Sequence, residues 1–250
     1  MISRSRRWRF GLLLVTFAAT PALGMTVEPN PILVNARFDG GTVRVRGSSD
    51  PESQVFVIIS GSHIKEKFKR KGRAGPIWVN RGTLEVSGVP RLCIIANSGP
   101  GSAGLDRQLV DRHLLDLEAV SRRAIFEPSD SDAESIRRDY LKLKESEGVF
   151  ANLPGAVQLA GVDGKREFTV EIPWPVSGGP GKYTVDVVQV KAGALLRKET
   201  SALKVELVGF PRWLSHLAFE RSRLYGALSV ASAIFVGLLM GVVFKKGGGH

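Results

Sequence analysis

Residues 99–104 read Gly-Pro-Gly-Ser-Ala-Gly. This G-x-G-x-x-G spacing can bring a backbone against a pyrophosphate at a helix N-terminus. A dinucleotide site also needs a parallel strand after that helix, but the chain runs instead into Glu127-Pro128-Ser129-Asp130. The expectation is therefore a glycine-rich loop with Ser102 near a helix cap, and no cofactor. His63, His113, His216 and His250 stand far apart without companions at ligand spacing, so no metal site is expected. There is no G-x-S-x-G elbow and no local cysteine–histidine signature. Cys93, the sole cysteine, lies in Leu92-Cys93-Ile94-Ile95 and reads as a small buried hydrophobe with no disulfide partner in the chain. These residue types predict no catalytic site and a non-enzymatic role. A periplasmic enzyme assembled from distant residues is the alternative, and convergent, pKa-perturbed acids in a pocket would favour it.

Two patterns suit binding better than catalysis. Lys65, Lys67, Lys69, Arg70, Lys71 and Arg73 surround a single acid, Glu66. Read as a strand, Lys65, Lys67, Lys69 and Lys71 share one face, and Ile64 and Phe68 the other. Lysines of this kind protect an edge strand from aggregation. With Arg73 they also make a basic surface for anionic lipid headgroups or an acidic partner. The second pattern is Ser229, Ala233, Gly237 and Gly241, small residues four apart inside an apolar stretch. Such spacing lets another helix approach closely, although glycine is common in membrane helices in any case.

The elements that carry these patterns start at the two ends. Arg4, Arg6, Arg7 and Arg9 precede an apolar run over residues 10–19, then Pro21 and Ala22-Leu23-Gly24. A basic start, a short apolar core and small residues before a cleavage point describe a secretory signal peptide over residues 1–24. Residues 225–244 carry no charge and, at about 1.5 Å per residue, reach about 30 Å, the hydrocarbon thickness of a bilayer. They read as one C-terminal transmembrane helix. Export followed by one stop-transfer span puts residues 25–209 in the periplasm of an inner-membrane protein. Residues 210–224, which mix aromatics with charge, lie at the membrane surface, and residues 245–250 form a short cytoplasmic tail. This location disfavours nucleic acid despite the net charge of +11.

Between the ends the period changes twice. Residues 26–98 read as strands: 32–36, 42–46 (TVRVR), a central doubly buried 55–59 (VFVII), 77–79, 84–86 and 92–96, with a turn at 48–51. Residues 102–148 follow helical spacing. Val110, Leu114, Leu117, Val120 and Ala124 form one helix face. A second helix starts at Ser131 with Glu134 as its capping box, carries Ile136, Tyr140 and Leu143 on its apolar face, pairs Glu134 with Arg138, and ends at Gly148. Strands return over 168–172, 183–190 and 203–208. Tyr183 opens a late strand just after Pro180-Gly181-Lys182, as in the tyrosine corner of immunoglobulin-like sandwiches. The expected fold is mainly β: an immunoglobulin-like β-sandwich with a helical insertion at about 102–148, plus one C-terminal transmembrane helix. Two small β domains joined by a helical linker are the alternative.

Four stretches together resemble the alpha-proteobacterial transmembrane family Alph_Pro_TM. They are Lys69-Arg70-Lys71-Gly72-Arg73 leading to Ile77-Trp78-Val79-Asn80; Glu85-Val86-Ser87-Gly88-Val89-Pro90; residues 168–173 with Pro180-Gly181-Lys182-Tyr183; and Leu224-Tyr225-Gly226 opening a span that ends Gly241-Val242-Val243-Phe244-Lys245. The resemblance covers essentially the whole mature chain. It implies an exported, single-span protein and a partner among exporters of the sulfite/sulfonate type, and it supplies no catalytic residue. Taken with the residues, it predicts a binding or accessory module for a membrane partner such as a small-anion exporter, or self-association through the span. An envelope structural protein binding anionic membrane lipid is a further alternative.

Overall fold

The computed structural model describes residues 24–128, 133–162 and 165–245. The chain is mainly β, with three sheets and one long C-terminal apolar helix. The first sheet runs β1 (Thr26–Glu28), β3 (Gly41–Ser49), β11 (Lys165–Trp174) and β10 (Gln158–Val162). The second runs β2 (Ile32–Val34), β13 (Ala194–Leu207), β12 (Gly181–Lys191), β4 (Gln54–Gly61), β7 (Cys93–Asn97) and β9 (Phe150–Leu153). Strands from before and after the helical segment thus share both sheets. The third sheet is β5 (His63–Ala74), β6 (Ile77–Pro90) and β8 (Ile125–Glu127).

Alternation along β4 explains how the layers stack. Val55, Val57 and Ile59 point to one side, where Val43, Val45, Phe168, Val170, Ile172 and Trp174 of the first sheet meet them. Phe56 and Ile58 point to the other side, onto Leu84, Val86, Val120, Tyr140 and Phe150. Successive side chains of a strand face opposite ways, so an unbroken apolar run requires cover on both faces. β4 lies between β12 and β7 and is the doubly buried strand its sequence predicts. β7 repeats the device: Leu92, just before it, and Ile94 enter the first core, and Cys93 and Ile95 the second. The helical insertion is therefore no appendage, because it builds half of a second core.

Several local expectations are corrected. The strands expected at 77–79 and 84–86 are one continuous β6, paired along β5 with two irregularities in the ladder. The single helix expected over 110–124 is two, α1 (Arg107–His113) and α2 (Leu117–Arg122). Leu114 closes α1 in the left-handed region at φ 55°, and Asp116 caps α2 by accepting from the Ala119 amide at 2.6 Å. α3 is Ala133–Ser146; Ser131, the expected cap, lies outside the described residues. Glu134 pairs with Arg137 at 3.1 Å, not with Arg138, because Arg137 lies under the helix and also donates to the Ser121 carbonyl. Leu143 is exposed and Lys144 takes the buried position, one full turn beyond Tyr140.

The C-terminal part is α4 (Phe210–Glu220) and α5 (Ser222–Lys245). Pro211 sits in the first turn of α4, where its missing amide costs nothing. Arg221, at φ −125° and ψ 48°, breaks the two helices apart. Residues 1–23 of the expected signal peptide (1–24) and residues 246–250 of the expected tail (245–250) lie outside the described residues.

Candidate binding surfaces

The basic run folds as β5, the outer strand of the third sheet. Lys65, Lys67 and Lys69 are exposed, while Ile64, Glu66, Phe68 and Arg70 alternate with them in less exposed positions. Lys65 and Lys67 flank Glu85 across the ladder at 3.5 and 3.4 Å. Lys69 has no ion-pair partner among the described residues. Arg73 is exposed and the Lys71 side chain lies outside what is described. Phe68 opposite Leu84 is an inward apolar pair, farther from the body than Val86 and Val89, which are more deeply buried. Farther out, Arg73, Gly75, Pro76, Ile77, Asn80, Gly82 and Thr83 are all exposed. A Cβ placed on Gly75 or Gly82 would meet no atom within 4 Å. Of the described residues beyond the Phe68–Leu84 pair, all but Arg70 and Val79 are exposed, and this half of the hairpin forms an arm.

The root of the arm carries an ionic cluster that the sequence did not announce. Glu66, the one acid among the lysines, has inward parity and meets the buried Lys144 of α3 at 2.8 Å. Glu147 holds the same ammonium at 3.0 Å. The ammonium also lies 5.5 Å from the Phe68 ring centre and 5.7 Å from that of Tyr140. Tyr140 makes edge contacts with Phe68, Phe126 and Phe150. Burial, and then the nearby Glu66 and Glu147 charges, push its phenol up. A lone acid of core-facing parity in a basic strand was the available signal for this cluster. Beside it lies a groove of about 370 Å³ between Phe68, Arg70 and Asp139.

The glycine-rich stretch is a loop, as expected. Ser102 donates to Asp116 Oδ2 at 2.8 Å and so steadies the residue that caps α2. The Cys93 thiol is fully buried, and burial alone pushes it up to about 12. Tyr183 donates to the Gly179 carbonyl at 2.6 Å and packs edge-on to Trp174. Among the described residues, no three His, Cys, Asp or Glu side chains gather at metal-binding distance.

The small-residue stripe lies on α5, whose window Ser222–Val242 is long and apolar enough to cross a membrane and has no buried residue. Ser229, Ala233, Gly237 and Gly241 are all exposed. Added Cβ atoms at Gly237 and Gly241 would meet nothing within 4 Å. The Ser229 hydroxyl is turned back onto the Tyr225 carbonyl at 2.8 Å. The stripe and the basic strand are distinct surfaces, carried by different elements.

A multi-sheet β body followed by one exposed apolar helix of spanning length is the architecture of a membrane protein with a single C-terminal span. The chain belongs to the family described as "Putative transmembrane protein (Alph_Pro_TM)", which matches residues 22–246. No curated protein matches it.

Proposed function

We propose that the chain is a membrane-anchored, non-enzymatic accessory module whose β body stands in the periplasm and docks a membrane partner through the basic arm. The observation that carries this reading is the exposure of the arm beyond the Phe68–Leu84 pair. A hairpin needs no extension past its core for stability. One that extends, and presents Lys69 and Arg73 with Lys65 and Lys67 at its root, suits an acidic surface. The partner is a membrane protein of the small-anion exporter kind, in keeping with the sulfite/sulfonate-type association that the family resemblance implies. Open space over Gly237 and Gly241 supports a second contact inside the bilayer, with the partner's helix or a second copy.

A photo-crosslinking residue at position 69 in the full-length chain tests this. The expected product is a conjugate with an exporter-type membrane protein, at least tenfold weaker when Lys65→Glu/Lys67→Glu is added. An unchanged yield after charge reversal rejects the arm as the docking surface.

A further inference from the structure

We infer that α4 is an in-plane membrane helix that recognises anionic phospholipid in the leaflet meeting the N-terminal end of the span. Phe210, Trp213, Leu214 and Leu217 recur at three- and four-residue spacing and share one face of α4. The Phe210 and Trp213 rings stack at 5.7 Å, yet are 62% and 56% exposed, and α4 has no buried residue. The body of the protein therefore leaves Phe210, Trp213 and Leu214 of this face exposed, and Leu217 partly so. Its occupant follows from what it joins. Only Arg221 separates α4 from α5, so the last turn of α4 cannot stand far from the bilayer surface. Tryptophan and phenylalanine at that depth place an apolar body in the acyl boundary.

Charge decides which lipid. Arg221 and Arg223 are exposed at the junction of the two helices and have no ion-pair partner among the described residues. The acid beside them, Glu220, is engaged by His216 at 2.9 Å. Two unpaired guanidinium groups at phosphate level, next to an inserted aromatic pair, favour a headgroup with net negative charge. The inference needs only the span and α4, and is independent of what the arm binds.

The test uses the full-length chain in nanodiscs of phosphatidylcholine, with or without phosphatidylglycerol. An environment-sensitive fluorophore on Leu214→Cys reports depth, because the native Cys93 is buried and escapes labelling. A blue-shifted, membrane-inserted emission is expected; emission as in water overturns the proposal. Lipid retained by the purified protein is then counted by native mass spectrometry. Wild type should retain phosphatidylglycerol over phosphatidylcholine, and Arg221→Gln/Arg223→Gln should lower that preference roughly thirtyfold, at about 1 kcal/mol for each basic residue at an anionic surface. Equal retention of the two lipids by wild type, or an unchanged preference in the double variant, overturns it. So does loss of the preference in Lys65→Gln/Lys67→Gln/Lys69→Gln with retention in the arginine variant.

Discussion

Lys144 shows how one side chain joins the arm to the body. Its ammonium is buried between Glu66 of β5 and Glu147 just after α3. Truncation to alanine strands both carboxylates and removes the stem from the Phe68 and Tyr140 rings. Breaking a buried pair from one side typically costs about 3–5 kcal/mol, and Glu66 and Glu147 are partly solvated, so about 2–3 kcal/mol is expected for Lys144→Ala. Chemical unfolding of the detergent-solubilised chain would measure it. Cys93 gives a second residue-level prediction. Burial pushes the folded thiol up to about 12 from an ordinary 9.0, so the native state holds its proton where the unfolded chain releases it. That contribution to stability is complete below pH 9 and is lost as pH rises towards 12. A thiol reagent at pH 8 should leave Cys93 unmodified until the chain is unfolded. The burial of Cys93 was legible from its apolar neighbours. The exchange of Leu143 for Lys144 was not, because hydropathy alone places leucine inside and cannot register two carboxylates waiting for an ammonium.

Among the elements, β6 depends on one glycine. Gly88 has φ +81°, and a Cβ there would lie 2.6 Å from the Arg123 carbonyl oxygen. Gly88→Ala therefore meets both left-handed strain and a backbone clash against the end of α2. We expect a loss of about 2 kcal/mol or more, read as a lower unfolding midpoint, with the Ser87→Ala neighbour near wild type. Strand periodicity made β3, β4, β7, β12 and the inward and outward sides of β5 readable. The break between α1 and α2 was hidden because Leu114 continues the apolar spacing while its backbone turns left-handed, and because Asp116, an ordinary surface residue in sequence, acts as a cap. β1 and β8, at three residues each, are set by pairing with β3 and β6, contacts that a local pattern does not encode.

For the whole molecule, orientation in the membrane is the decisive property, and we propose that the body lies outside the cytoplasm. A reporter active only in the periplasm should work when fused after Gly209 and fail when fused after His250; the reverse result would invert the assignment. The span was plain in the sequence. The stacking of three sheets into two cores was not. The chain alternates correctly for one sandwich, and only the apolar run of β4 hinted that a third layer must cover its far side.

That doubly covered strand has a consequence for the order in which the molecule comes into being. β3 and β4 are synthesised early, but β3 pairs with β11 and β4 with β12, at registers such as Val45 with Val170 and Val57 with Val187. Until those late strands emerge, two apolar edges stay open to any other extended chain, a condition that favours misassociation. β12 and β13 arrive only just ahead of α4 and α5, so completion of both cores and entry of the apolar helix into the bilayer fall within the same short interval. A ribosome paused, or a chain cut short, anywhere before residue 190 would leave the central sheet without its middle neighbour and the span not yet made. The nascent protein thus gains its span at nearly the moment when its body first becomes able to fold.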